Sequence, residues 1–234
     1  MARLPAHLSN APVGRKRMSK QELSALQREK ILAAAIQVFA KRGYQPTTVE
    51  NIVNAAGIGV GGFYAHFEGK DDCLLQAYAK IVAEARERIA AAVPADAPWP
   101  QQLCTALAEL LRAIAAEPAK ARIALVEIQT GGESALRRHG ETQDEAVALL
   151  RAGRELGTAD PEPPETFEEA TVSGLVWLLQ QRVVRGELDD LGDLLGEMAE
   201  MILDPYLGTE RTRQELQTYF AGAGLERPAA GSPA

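Results

Sequence analysis

The sequence predicts an all-α protein: an N-terminal three-helix domain followed by a larger helical body. Three observations lead there. Apolar residues recur at helical spacing through most of the 234 residues. Alanine and leucine dominate while aromatics make up only 5%, a balance that favours helices. Glycine and proline gather at a few points, Val93–Pro100, Gly131-Gly132 and Gly157–Pro164, and cut the pattern into helix-length pieces.

Residues 1–22 lack periodicity. They hold Pro5, Pro12, Gly14 and the basic cluster Arg15-Lys16-Arg17 with Lys20, and are expected to form a disordered arm. A helix is predicted from Ser24 to Arg42 with Ile31, Ala34, Ala35, Val38 and Phe39 facing inward. Lys41 and Arg42 suit the negative end of its dipole, and Gly43 ends it. Thr47 followed by Glu50 predicts a capping box. Val49, Ile52, Val53 and Ala56 then form one apolar face, and Gly57 offers a left-handed end. A second short helix runs to Phe67, with Phe63, Phe67 and part of Tyr64 on its apolar side. Two helices joined by a short glycine-containing turn make a helix-turn-helix pattern.

A helix from Gly69 to Ala92 follows, with Asp71 and Asp72 favourably placed in its first turn. Lys70 is unfavourable there and needs another partner. Further helices are predicted over Pro100–Glu117, after Pro118 (Ile123, Leu125, Val126, Ile128), over Glu133–Leu156, over Glu165–Arg185 and over Leu188–Asp204. The predicted divisions are an arm over 1–22, a DNA-binding domain over 23–85, a helical domain over 86–220 and a disordered tail over 221–234.

The net charge of −7 hides an asymmetry. Residues 1–70 hold ten Lys/Arg against four Asp/Glu, and the remainder holds fifteen against twenty-eight. A basic end on an acidic body suits a nucleic-acid contact confined to that end. Cys73 and Cys104 make no disulfide framework, so a reducing cytoplasm is the expected location. No apolar run approaches the roughly 18 residues of a membrane span, and no secretory signal is expected. His7, His66 and His139 and the two cysteines lie far apart without ligand spacing. Gly59-x-Gly61 follows no strand and is no nucleotide loop. No catalytic residue, metal or cofactor is therefore expected.

Thr47, Thr48, Ile52, Ala56, Gly57, Ile58, Gly61, Tyr64, His66, Phe67 and Lys70 together resemble the N-terminal domain of TetR-family (tetracycline-repressor-type) transcriptional regulators. The resemblance is specific over about residues 25–85. Beyond that it rests on length, helical pattern and Asp204-Pro205-Tyr206-Leu207-Gly208. It implies a repressor that binds palindromic double-stranded DNA as a homodimer and is released by a small-molecule effector. The alternative is a sensor of the same fold with weak or non-specific DNA binding.

The recognition positions would be Gly59, Val60, Gly61 and Gly62, where the family usually carries polar side chains. No glycine can hydrogen-bond a base through a side chain. Affinity is therefore expected from phosphate contacts by Thr47, Thr48, Tyr64, His66 and Lys70; the resemblance implies that Lys70 and its helix start together hold a phosphate, as suits a helix N-terminus. Val60 can touch a thymine methyl. Effector-pocket candidates are Trp99, Gln102, Glu127, His139 and Trp177, with Arg122 and Gln129 beside them. The last two predicted helices resemble the family's four-helix dimer interface, which assigns Gly174, Leu175, Leu178, Leu191, Leu195, Met198 and Ile202 to the subunit contact.

Overall fold

The computed structural model describes residues 18–156 and 162–224. The basic cluster Arg15–Arg17, part of the Gly157–Pro164 loop and most of the expected tail lie outside them. Every regular element among the described residues is helical. Ten α-helices occur: α1 (Lys20–Arg42), α2 (Val49–Ala56), α3 (Val60–Tyr64), α4 (Lys70–Ala92), α5 (Trp99–Ala116), α6 (Pro118–Leu125), α7 (Glu133–Arg151), α8 (Phe167–Arg185), α9 (Leu194–Leu207) and α10 (Thr209–Ala223). Short 3-10 turns follow α6 and α7 and precede α9.

Helix α1 starts four residues earlier than predicted, because Ser19 and Glu22 form a capping box that the sequence reading passed over. The cap of α2 lies one residue later than predicted. Thr48 is the N-cap, and its box partner is Asn51, not Glu50. The Thr47 hydroxyl donates to the Gly43 carbonyl at 2.7 Å and is spent there. Gly57 does close α2 in the left-handed region, at φ 62° and ψ 44°, where a Cβ would be strained. Helix α10 was not predicted. Its buried face is Thr212, Leu216 and Phe220, spaced four apart.

Two apolar cores are present. The first joins α1–α4 through Ile31, Phe39, Ile52, Phe63 and Leu74, and is completed by Ile123, Ile128 and Ala135 from the helical body. The N-terminal core thus does not close at residue 85. Gly131 makes that closure possible, since a Cβ there would sit 2.6 Å from Leu74 Cδ2 and 2.8 Å from Ala135 Cβ. The second core joins α5 and α7–α10 through Leu111, Val147, Leu175, Leu191, Ile202 and Phe220.

The stripe assigned to the dimer contact belongs to that second core. Leu175, Leu191, Leu195, Met198 and Ile202 are all buried within their own chain. A helical stripe of apolar residues says that a face is buried, not against which partner. Only Gly174, which is exposed, and the partly exposed Leu178 remain available.

Glu168 in α8 is fully buried and carries the polar centre of the body. Arg154 grips both its oxygens, at 2.7 and 2.9 Å, and the Tyr206 hydroxyl donates to it at 2.9 Å. Burial pushes the carboxyl up, but Arg154 and Tyr206 outweigh it and hold the group below its usual 4.5. A carboxylate depressed on folding stabilises the native state above its unfolded pKa and loses that stabilisation as pH falls. Glu168→Gln is expected to cost about 2 kcal/mol near neutrality. Urea titrations from pH 7 downward should show the deficit shrinking as pH drops through 4.5 and below.

Candidate nucleic-acid interface and effector cavity

Helix α2 presents its N-terminus at Thr48 and buries Ile52, Val53 and Ala56. Three residues later α3 begins, with Phe63 buried and stacked at 5.3 Å on Phe67. The outer face of α3 is Gly59, Val60, Gly61 and Tyr64, all exposed, with Gly62 half-buried. A Cβ at Gly59 or Gly61 would meet nothing within 4 Å. Neither glycine has a positive φ. The fold does not require glycine at these two points; the bare surface is a property of the recognition face itself. Gly62 differs, because a Cβ there would lie 2.9 Å from Gln27 Nε2.

The predicted phosphate ligands separate into different roles. Tyr64 is 56% exposed, with its ring meeting Phe63 edge-on at 5.4 Å, so part of it lies on the apolar side of α3 as expected while the rest faces outward. Thr48 is exposed at the α2 start, where its hydroxyl accepts from Asn51 N–H. Thr47 is 1% exposed and cannot reach a phosphate. His66 lies half-buried with Nε2 3.3 Å from Gln27 Oε1, tying the end of α3 to α1.

Lys70 is committed elsewhere. Its ammonium donates to the carbonyls of Tyr44 (3.2 Å), Gln45 (3.0 Å) and Thr47 (3.1 Å), and sits 4.4 Å from the Tyr44 ring centroid. An ammonium has three protons, so none is left for a phosphate. The α4 start is also occupied by its own acids. Asp72 accepts from Glu68 N–H, and Asp71 accepts from the Tyr44 hydroxyl. Lys30 was missed by the sequence reading. It is exposed, has no ion pair among the described residues, and lies beside Gly57, where a Cβ would sit 3.7 Å from its Nζ. Only its spacing along α1 could have marked it.

The pocket candidates do not converge. Trp99 packs edge-on against Tyr206 at 5.4 Å. Gln102 donates to the carbonyls of Pro94, Ala95 and Ala97 and shapes the loop before α5. Glu127 is buried with Arg122. Gln129 caps the Leu125 carbonyl. His139 is buried, Nδ1 lying 3.2 Å from the Tyr78 hydroxyl. Burial lowers its pKa below 6.5, and Nε2 has no hydrogen-bond partner among the described residues. Trp177 is 61% exposed.

A cavity of about 90 Å³ lies instead between α4, α5 and α6. Ile81, Ala85, Leu110, Ile114, Ala121 and Leu125 wall it, and Glu84, Arg88, Glu117 and Lys120 ring it. The ring is closed by ion pairs. Arg88 reaches Glu117 at 3.2 Å, Lys120 reaches Glu84 at 2.7 Å, and Lys120 also pairs with Glu117. Among the described residues no group of three or more His, Cys, Asp or Glu could hold a metal ion, and no helix is long and apolar enough to cross a membrane.

A capped helix, a left-handed glycine turn and a short exposed helix on a three-helix core define a helix-turn-helix DNA-binding domain. Residues 31–77 match the sequence profile of bacterial regulatory proteins of the tetR family; the N-terminal domain is a tetR-family domain. Over 50 residues the chain is 42% identical to the uncharacterized HTH-type transcriptional regulator YerO of Bacillus subtilis, and over 59 residues 32% identical to the fatty acid metabolism regulator protein of the same organism. These alignments cover 21% and 25% of this chain and only 17% and 30% of the relatives' own length. The fold extends further. The fatty acid degradation regulator FadR of Bacillus halodurans superposes with a TM-score of 0.67 at 20% identity, covering 80% of this chain and 97% of that one. FadR of Bacillus subtilis in complex with stearoyl-CoA gives 0.65 at 19% identity, over 76% and 98%.

Gly61→Ala tests the bare face. Alanine fits the space, and helical Gly→Ala gains about 0.5–1 kcal/mol. Denaturant unfolding should show the variant more stable by that amount. A loss of stability would mean that the glycine serves the fold.

Proposed function

We infer that the protein is a homodimeric DNA-binding transcriptional regulator, a repressor released by a small molecule, acting in the cytoplasm and without catalytic activity. The observation that carries this is the exposed Gly59–Tyr64 face on a helix-turn-helix whose caps and core are complete. The second helix of such a motif enters the major groove and meets base edges with its N-terminal residues. Here Val60 offers a methyl contact, and the glycines let backbone approach the bases. Thr48, Tyr64 and Lys30 are placed for phosphates, and Thr47 and Lys70 hold the turn behind them.

Between residues 20 and 84 seven Lys/Arg face seven Asp/Glu. Of the six excess positive charges over residues 1–70, four therefore come from Arg3 and Arg15–Arg17. Those four cations are the source of long-range attraction to the duplex. Sequence preference then rests on thymine methyls and DNA shape.

The dimer face is the exposed side of α8, which keeps Gly174 from the first assignment and replaces the buried Leu175 with Trp177 and Val184. Trp177 and Val184 are seven residues apart and both exposed, with Gly174 on the same side. Met201 of α9 is exposed as well. Trp177 and Val184, two large exposed apolar side chains on one side of a helix, mark a protein contact.

For the effector, the apolar cavity suits an aliphatic chain, and an anionic head reaches Arg88 and Lys120 by displacing their partners Glu84 and Glu117. The stearoyl-CoA bound to the similar FadR of Bacillus subtilis supports that chemistry. At about 90 Å³ the cavity holds roughly three water volumes, so only a chain end fits. A longer chain must part α4, α5 and α6. It therefore binds one conformation better than the other, which is the requirement for a shift in the equilibrium.

One titration tests the reading. The wild type is mixed with fluorescent duplex from the region upstream of its own gene, and anisotropy is followed. Trp177→Glu should sediment as a monomer and bind at least tenfold more weakly. A long-chain acyl thioester should release the wild type. Dimeric, tightly bound Trp177→Glu would place the subunit contact elsewhere, and release by no acyl compound would exclude this effector class.

A further inference from the structure

Helix α6 separates two environments. Ala121 and Leu125 wall the cavity, while Ile123 is fully buried in the core of the DNA-binding domain. From its last turn, Arg122 Nε donates at 2.9 Å to Oε1 of Glu127, which lies just past the helix end. The other oxygen of Glu127 accepts the backbone N–H of Tyr44 at 2.7 Å, across 83 residues of sequence. Glu127 is 4% exposed. Gln45 adds a second tie, donating to the Thr130 carbonyl at 2.7 Å.

Tyr44 is held at each of its other polar atoms. Its hydroxyl donates to Asp71, and its carbonyl accepts from Lys70. Four residues on, Thr48 caps α2. The chain from Tyr44 to Thr48 has no slack in which to absorb a displacement before α2 and α3.

We propose that Glu127 is a positioning residue: its carboxylate latches the Tyr44 amide to α6 and thereby fixes the pose of the helix-turn-helix on the helical body. Both bonds to the carboxylate are charge-assisted and short. Loss of either partner leaves a buried charge poorly compensated. A displacement of α6 must carry Arg122 with it and lengthen one of the two bonds. The latch is thus either closed or broken, because packed interiors have discrete arrangements rather than continuous ones. The proposal goes beyond DNA binding and concerns the free protein, so it is tested without DNA or effector.

The experiment is residue-resolved NMR on the full chain. The Tyr44 amide has no acceptor other than Glu127 among the described residues, so its exchange rate reports the latch directly. Glu127→Gln keeps the shape and one acceptor oxygen but removes the charge. Its Tyr44 amide should exchange roughly tenfold faster, the difference between a charge-assisted and a neutral hydrogen bond. Exchange at Ile202 and Leu203 in α9 should stay unchanged. The amide shifts of Val60–Tyr64 should also move, which a purely local bond would not cause. Unchanged exchange at Tyr44, equal acceleration in α9, or shifts confined to Tyr44 would each overturn the proposal. Should Glu127→Gln fail to fold, Glu127→Met takes its place: it removes the acceptor outright, so exchange at Tyr44 should be at least tenfold faster, with the same overturning results.

Discussion

One ammonium organises the DNA-binding half of this protein. Lys70 takes three consecutive-turn carbonyls, those of Tyr44, Gln45 and Thr47, that no helix satisfies. Gln45 is exposed and the Tyr44 carbonyl also accepts from Thr47 N–H, but Thr47 is buried, and a buried carbonyl left unpaired costs free energy comparable to a lost hydrogen bond. The lysine removes that cost and, in doing so, clamps the start of α4 to the entry of α2. Tyr44 stacks beneath the same ammonium. The α1–α2 turn therefore has one conformation, and the recognition helix inherits it.

That constraint explains the division of labour around the motif. Thr47 faces inward because its hydroxyl completes the same turn at Gly43. Thr48 is then free to cap α2 at the surface. His66 and Gln27 close the other end of α3 against α1. Everything rigid lies behind the recognition face, and the face itself is two open glycines, a valine and a tyrosine. A site built this way specifies the position of its backbone more than the identity of its side chains.

Local chemistry was legible in the sequence; partnership was not. The helix-turn-helix could be read because caps, a left-handed glycine and an apolar face of eight residues are short-range signals. The α2 cap was misplaced by one residue because the Gly43 carbonyl that takes the Thr47 hydroxyl belongs to a turn geometry with no sequence signature. The apolar stripe of α9 was readable as buried, but nothing in Leu191, Leu195 or Met198 distinguishes burial against α5 from burial against a second subunit. The informative residues were the exceptions, Trp177 and Val184, large and apolar yet outside the stripe. Glu127 stood out as a carboxylate between Val126 and Ile128, and that oddity was real. In the folded chain its partners are Arg122 and an amide 83 residues away. Helix α10 escaped notice because its Thr212, Leu216 and Phe220 spacing is diluted by a polar remainder.

The central claim is that a nearly side-chain-free helix reads DNA as half of a two-fold pair. The most direct measurement is selection from a random duplex pool with the purified protein, followed by sequencing of what is retained. The account predicts a two-fold-symmetric site with thymine at the Val60 contacts and a strong preference at untouched central positions, as readout by shape requires. Recovery of no preferred sequence, or of an asymmetric guanine-specific site under the recognition helix, would contradict it.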